Sequence, residues 1–562
     1  MKRQWILRKH NNALVNQIME KYNISQLTAR VLQNRIDTLG DSVLVDKNDI
    51  SSMHSPFLLN DMQKAVDIIN NAVDFGKHIT IYGDYDADGV TATSLLYSYL
   101  LSIGAYVDYY VPDRMEEGYG INKEAVDYLK TKGTRLLITV DTGATAFEQI
   151  QYAVDCGMEV IVTDHHECQK ELPNCSAVIN PKRHDSTYPF KDIAGVAVAF
   201  KLVCALNESV EDIIENYIEL VCIGTVSDVM PLIDENRIFV TIGLEHLNRS
   251  NFVGINSLIE AVGLKGKNIT AGSIGFTLGP RINACGRLGN ASQCVTLFTT
   301  DDQQEADVIS QNLNSINTQR QEIEQSILTE AISIIEKNNL YNNSVIVVGK
   351  EGWHHGVIGI VASKIAEKYY KPTILLCIDG EYAKGSGRSI ENFDLFSALN
   401  SVSDNLEKFG RHCLAAGVTV KTSNIDKFSN DINLYALSVM EQIDFVPKLY
   451  VDCNICSHDL TEDNINNLAV LEPYGSGNTQ PVFSLMKCQI YKIATLGENK
   501  HIRMLLILDN MIFSAVGFGM GRLINNYKQG DVVDVAGHLE INVYNNKNNI
   551  QIRLKDIRLS TK

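Results

Sequence analysis

Asp84, Asp86 and Asp88 stand at alternate positions in GDYDADG, Asp141 opens DTG, and Asp164, His165 and His166 form the run DHH. Each group directly follows a short apolar run (ITIY, LLITV and MEVIVT), and Asp228 closes a further one in CIGTVSDV. Acids that follow strands of a parallel sheet collect at one edge, where such sheets bind ligands. So many carboxylates in one place raise one another's pKa unless cations neutralise them. Oxygen-rich donors with one or two imidazoles suit Mn²⁺ or Mg²⁺ better than a thiolate-seeking structural Zn²⁺. Two such ions, about 3.5–4 Å apart, are a standard device for hydrolysing phosphoesters: they activate water and stabilise charge on the phosphoryl oxygens. A single Asp after a strand reads more simply as a helix cap. The whole set does not.

Other residues carry weaker signals. Arg281 and Arg287 lie in GPRINACGRLGNA without acidic neighbours, which suits phosphate binding through guanidinium forks or a purely structural role. The SGRS turn at 386–389 offers amides, a hydroxyl and a guanidinium as a phosphate cradle. His354 and His355 at a helix entrance, and His412, read either as substrate contacts or as caps and core residues. Tyr119 in EGYG can stack on a base or simply be buried. Cys453 and Cys456 form one CxxC with no second pair nearby, so a zinc site is not supported. Neither GxxxxGK[ST] nor GxSxG occurs, which sets aside a P-loop ATPase and the simplest serine hydrolase.

The elements that must position these groups follow from periodicity. From residue 79, strands ITIY, YVDYYV, RLLITV and MEVIVT alternate with helical stretches such as Thr91–Leu101, the pattern of a parallel sheet with crossover helices. Residues 290–348 contain no Gly or Pro, and apolar residues from Ala306 to Ile334 recur on one helical face, predicting a long connecting helix. VIVVG, a helical stretch and TILLCI make a second, smaller α/β unit. From about 480, five strand-like runs with a helical stretch, GRLINNYKQG, between the third and fourth match the order of an OB-fold. The expected division is an N-terminal helical segment over 1–50, a catalytic domain over 51–290, a connecting helix over 291–344, the smaller α/β domain over 345–445 and the barrel over 446–562.

The apolar share of 45% in 562 residues is enough for several buried cores and excludes a disordered or fibrous chain. No apolar run reaches the ~18 residues of a membrane span, and the basic N-terminus lacks a signal-peptide core. With twelve scattered cysteines, the expectation is a cytoplasmic protein without a disulfide framework. A net charge of −17 argues against simple counterion-release binding to nucleic acid, while leaving room for a local basic groove beside a metal centre.

GDYDADG, VDTG, TDHH and GTVSDV, in this order, resemble the four motifs of the DHH phosphoesterase superfamily. PDRMEEGYG (112–120), GPRINACGRLGNA (279–291), GWHHGVIGIVASKI (352–365), KGSGRSIENFDL (384–395) and LEPYGSGN (471–478) narrow the resemblance to RecJ-type single-strand-specific exonucleases, over nearly all the chain beyond about residue 50. It implies an α/β fold: a parallel-sheet DHH domain, a long helix, a smaller DHH-associated domain and an OB-fold barrel. It also implies a Mn²⁺- or Mg²⁺-dependent 5′→3′ exonuclease of single-stranded DNA, releasing mononucleotides in recombination and repair.

By the same resemblance, Asp88, Asp141, His165 and Asp228 hold one metal, while Asp86 and Asp141, with Asp84 ligating or close by, hold the second. Asp141 then bridges, His166 contacts the scissile phosphate, and Asp164 orients a histidine. Arg114, Arg281, Ser386 and Arg388 match positions that contact the 5′-terminal phosphate or nearby backbone, with Tyr119 a candidate for stacking. The implied partners are a single-strand-binding protein and a helicase, with the enzyme a monomer. Two departures stand out: Arg411 in GRHCLAAG replaces a family glycine, and the chain ends after the barrel, so the C-terminal extension of longer relatives is expected to be absent. Two other readings stay open: a phosphodiesterase of short oligoribonucleotides or cyclic dinucleotides, whose relatives are generally shorter and lack the barrel, and a silent DNA-binding scaffold, which has no reason to keep unfilled acidic clusters.

Overall fold

The computed structural model describes residues 3–43, 47–114, 117–118, 120–207, 209–410, 415–544 and 547–561. Tyr119, Arg411 and His412, singled out above, lie outside the described residues.

The catalytic sheet has five parallel strands. Ile79–Gly83 is flanked by Val107–Tyr110 on one side and by Leu136–Val140 on the other, followed outward by Glu159–Thr163 and Ala177–Ile179. Helices cover it, so the central strands are buried at every position and read as continuous apolar runs. The order matters for function. The chain leaves Ile79–Gly83 toward one edge and returns on its other side, so a topological switch point opens between Ile79–Gly83 and Leu136–Val140. The acids of GDYDADG and Asp141 follow those two strands.

The connecting region is divided where a single helix was expected over 291–344. Ser292–Thr299 is a short helix, and a 35-residue helix then runs over Gln303–Lys337. Asp302 makes the break, because its carboxylate accepts the amides of Gln304 and Glu305 and starts a new helix. Ala306 and Leu313 of the long helix join the catalytic core, whereas Ile327, Ala331 and Ile335 join the core of the smaller domain. One helix thus spans both.

The smaller domain is a five-stranded mixed sheet. Ile346–Glu351 pairs in parallel with Thr373–Asp379, which pairs antiparallel with Tyr382–Arg388. The SGRS stretch is therefore not a turn: Ser386 and Arg388 lie in a strand paired on both sides, with Leu375 and Thr373 on one and Gly417 and Ala415 on the other. Side chains, not a cradle of free amides, remain to meet an anion.

The C-terminal barrel closes from Phe483–Leu496 through His501–Leu508, Met511–Gly517, Lys547–Leu559 and Val532–Tyr544 back to Phe483–Leu496. The stretch expected as a helix between its third and fourth strands is reduced to the single turn Gly521–Asn525. The N-terminal segment holds two helices, Asn12–Tyr22 and Gln26–Leu39, but also the strand Gln4–Leu7, which pairs with Lys448–Val451. Val15, Ile18, Leu27 and Val31 of those helices share one core with the barrel. No helix of the described residues is long and apolar enough to cross a membrane.

Candidate metal centre and its surroundings

Six predicted ligands converge at the switch point. Ligand atoms of Asp88, His165 and Asp228 lie within 4.8 Å of one another, as do those of Asp84, Asp86 and Asp141, and those of Asp141, His165 and His166. Nε2 of His165 is 3.1 Å from Oδ1 of Asp141, 3.6 Å from Oδ2 of Asp88 and 3.7 Å from Oδ2 of Asp228. Three carboxylates thus face one imidazole nitrogen, and Asp141 belongs to both groups of acids.

The backbone enforces this. Asp141 is buried in the left-handed region at φ 58°, a conformation Asp tolerates, immediately after its strand. Gly195 lies against it so closely that a Cβ there would be 2.7 Å from both Cβ and Oδ1 of Asp141. The same residue opens the helix Gly195–Leu206, and its amide donates to Oδ2 of Asp88 at 2.6 Å while that of Val196 donates to Oδ1 at 2.8 Å. A helix N-terminus holds an anion well. Asp86 caps the helix Ala87–Ser102, its Oδ1 accepting the amides of Asp88 and Gly89 at 3.0 Å. Asp228 sits instead at the C-terminal end of the helix Val210–Ser227, where the helix dipole favours a cation over a carboxylate.

The electrostatics call for that cation. Burial and then Asp86 push Asp84 up to about 8 and Asp88 up to about 7. Burial and the neighbouring carboxylates, Asp88 first, hold Asp141 and Asp228 well above the usual range. Oδ1 of Asp141 and Oδ2 of Asp228 are buried without a hydrogen-bond partner among the described residues. Acids destabilised as anions, with buried oxygens unused, are a donor set that fits hard divalent ions.

The two histidines differ. Burial, then the adjacent His166, lowers His165 to about 3, so its ring is neutral and able to ligate. Burial also opposes charge on His166, but the hydrogen bond and charge of Asp164 outweigh it and raise His166 to about 9. Asp164 earns that role by geometry: Oδ1 accepts Nδ1 of His166 at 2.8 Å and the amides of His165 and His166 at 2.8 and 3.1 Å, and Oδ2 accepts Ala144 N–H at 2.8 Å. Burial pushes Asp164 up, yet these partners bring it down to about 2. Asp164 thus favours the charged form of His166 and occupies its Nδ1.

Of the expected phosphate contacts, Arg114 lies with its guanidinium 5.0 Å above the ring of Tyr85, within the acidic loop. Arg388 donates to Oγ of Ser386 at 2.9 Å and to the Gly387 carbonyl at 2.8 Å. The helix His355–Tyr369 presses on both, since a Cβ on Gly359 would be 2.9 Å from Oγ of Ser386 and 3.0 Å from Arg388. Arg281 donates to Asn314 at 2.9 Å and to the Thr277 carbonyl at 2.8 Å, against the long helix. Arg287, six residues on, lies near Arg114 and Asp86. It donates to the Gly356 carbonyl at 2.8 Å, and burial followed by repulsion from Arg114 lowers it to about 10, against the pull of Asp86. His354 caps the same helix, accepting the Gly356 amide at 3.1 Å. The resemblance points to Arg281 and not to Arg287; six residues apart within the helix Gly279–Leu288, the two leave it on different faces.

A separate cavity of about 930 Å³ lies between the catalytic domain, the N-terminal segment and the barrel. Arg3, Lys47, Arg553 and Lys555 line it, against Glu245 and Glu472, with Tyr474 and Phe276, which is 87% exposed. Cysteines 453 and 456 form no metal group among the described residues.

Three family models match the chain: the DHH family N-terminal domain over residues 78–225, the DHHA1 domain over 342–437 and the RecJ OB domain over 451–556. The single-stranded-DNA-specific exonuclease RecJ of Bacillus subtilis (strain 168) is 37% identical, the match covering 100% of this chain and 71% of that protein. Among solved structures, RecJ from Thermus thermophilus in complex with Mn²⁺ superimposes with a TM-score of 0.85 at 29% identity, covering 100% of this chain and 80% of that one. The same protein with Mg²⁺ gives 0.78 at 28% identity, covering 100% and 79%.

Proposed function

We propose that this chain, which belongs to the RecJ family of single-stranded-DNA-specific exonucleases, hydrolyses single-stranded DNA from its 5′ end to mononucleotides with two Mn²⁺ or Mg²⁺ ions. The observation that carries this is the convergence of Asp84, Asp86, Asp88, Asp141, His165 and Asp228 at the switch point of the catalytic sheet.

Asp88, Asp141, His165 and Asp228 would hold one ion, and Asp84, Asp86 and Asp141 the other, with Asp141 shared. The chemistry such a pair supplies when bound is activation of a water and neutralisation of charge on the phosphoryl oxygens. The chain's own residues do the rest. Asp141 is set rigidly by its left-handed backbone and by Gly195. His166, kept protonated by Asp164, donates to a non-bridging oxygen of the scissile phosphate and gains strength as charge builds there. Arg114, Arg281, Ser386 and Arg388, with Arg287 near Arg114, would bind the terminal phosphate, which carries more charge than an internal diester. Recognition of the end, with the long helix holding the two domains at a fixed separation, would select a free single strand. Tyr119, in EGYG, would stack on a base.

The basic cavity beside the barrel gives the outgoing strand phosphate contacts and an aromatic face at Phe276. We divide the chain into a segment over 1–50, a catalytic domain over 51–290, a connecting region over 291–344, a DHH-associated domain over 345–445 and an OB-fold over 446–562. A cytoplasmic monomer serving recombination and repair, with a single-strand-binding protein and a helicase as partners, is the setting this family membership supports. The test is digestion of 5′- and 3′-labelled single-stranded DNA and of duplex, in Mn²⁺ and in chelator. Release of labelled mononucleotide first from the 5′-labelled single strand is expected. Early release from the 3′ label, or equal attack on duplex, would overturn the reading.

A further inference from the structure

The acidic loop packs three carboxylates into five residues, so the backbone amides between them are acceptor-hungry neighbours of the ligands. Tyr85 N–H donates to Oδ1 of Asp84 at 2.8 Å, and the amides of Asp88 and Gly89 use Oδ1 of Asp86 at 3.0 Å. Ala87 N–H, between Asp86 and Asp88, is satisfied from outside the loop by Oδ1 of Asn283 at 2.8 Å. An amide N–H can face only the oxygen of a carboxamide, so the orientation of Asn283 is fixed by its partner.

Asn283 belongs to the helix Gly279–Leu288, which touches the loop twice on one face. Three residues on, Gly286 lies so close that a Cβ would be 2.4 Å from the Tyr85 carbonyl oxygen, and the next residue is Arg287, tied to Gly356 of the smaller domain. One short helix therefore meets the ligand loop, carries Arg287 and reaches the neighbouring domain. Without Asn283, Ala87 N–H would lose that acceptor, and the adjoining Asp86 carboxylate, which already takes two amides, would be left to compensate. A third would draw it from a metal.

We propose that Asn283 is a positioning residue: it keeps the Asp86 carboxylate available to a divalent ion and registers the arginine-bearing helix on the ligand loop. This rests on the two-ion reading above. It touches neither ion nor phosphate. Partners one step removed from a metal ligand commonly change metal affinity 10–100-fold, by about the same factors as they change activity.

The test is calorimetric titration of Mn²⁺ into the full chain without DNA, with melting temperatures in chelator, for wild type, Asn283→Ala and Asn283→Asp. Asn283→Ala should weaken Mn²⁺ binding about tenfold or more while the melting temperature in chelator barely moves, a split that a merely structural role does not produce. Asn283→Asp restores the acceptor and, with one more carboxylate beside the acids, should bind Mn²⁺ at least as tightly as wild type. Should the alanine chain not fold, Asn283→Ser, too short to reach Ala87, carries the same test. Wild-type affinity in the alanine or serine chain, or equal loss in Asn283→Asp, would overturn the proposal. A wild-type chain that bound no Mn²⁺ would overturn the two-ion reading and this inference with it.

Discussion

Gly195→Ala adds a single methyl group where the helix Gly195–Leu206 presses on Asp141. Its Cβ would be 2.7 Å from Cβ and Oδ1 of Asp141 and 2.9 Å from Cγ, all atoms of a short, buried side chain that cannot swing aside. Restoring an ordinary contact of about 3.5 Å requires Asp141 or the helix Gly195–Leu206 to retreat by roughly 0.8 Å. Overpacking of this kind costs about 1–3 kcal/mol. Part of that is offset, because Ala is a better helix former than Gly by up to about 1 kcal/mol. Stability should therefore fall modestly. Catalysis should fall much further, because a misplacement near 1 Å costs about 100-fold, and the same movement disturbs the two amides that hold Asp88. The assay is kcat on 5′-phosphorylated single strands in saturating Mn²⁺, alongside thermal unfolding, with Gly272→Ala as control because a Cβ there meets only Oγ1 of Thr270 at 3.5 Å. Turnover of Gly195→Ala within about threefold of wild type, against the 100-fold expected, would refute the claim that Asp141 must be held where it is.

Arg388→Ala should cost about 1.5–3 kcal/mol in initiation, mainly on 5′-phosphorylated ends; equal loss on 5′-hydroxyl strands would make Arg388 a general backbone contact. Arg553→Ala should weaken binding to long single strands and reduce the slope of log K against log salt by about 0.7, the share of one phosphate contact; an unchanged slope in filter or anisotropy titrations would remove the basic cavity from the strand's path. His538, buried in the barrel with Nδ1 2.8 Å from the Pro481 carbonyl oxygen, is lowered by burial from 6.5 to about 4. The unfolded chain therefore binds the extra proton first, and stability should fall as pH drops from 6.5 toward 4, by up to about 1.4 kcal/mol per unit. Melting curves of His538→Gln should lack this component; identical pH profiles would contradict it.

The acids after Ile79–Gly83, Leu136–Val140 and Glu159–Thr163 were legible because parallel strands place their successors at one edge, whatever their order. The order was not legible. Periodicity says that 107–110 and 136–140 are strands, but not that they flank Ile79–Gly83 on opposite sides and so make the crevice. Asp228 was found by its neighbours in sequence, yet it ends a helix rather than a strand. The long helix was visible from its apolar face, and its break was missed although Asp302 in TTDD is an ordinary N-cap signal. The strand character of Ser386 and Arg388 was hidden by glycines that read as a turn, because packing between two neighbours overrides that local preference. The N-terminal helices look independent in sequence, yet Leu27 and Val31 complete the barrel core. Each such side chain is worth about 1.5–3 kcal/mol when buried, so deleting 480–562 would expose a shared core instead of isolating a DNA-binding function. Asn283 carried no signal, since a neutral amide in a helix announces nothing until its partner is seen.

Anomalous diffraction from crystals of the chain soaked in Mn²⁺ tests the central claim most directly. Two peaks are predicted at the switch point, one among Asp88, Asp141, His165 and Asp228 and the other among Asp84, Asp86 and Asp141, with the Asp141 carboxylate between them and Asp141→Ala abolishing both. A single peak, or two that leave Asp141 outside, would contradict the account.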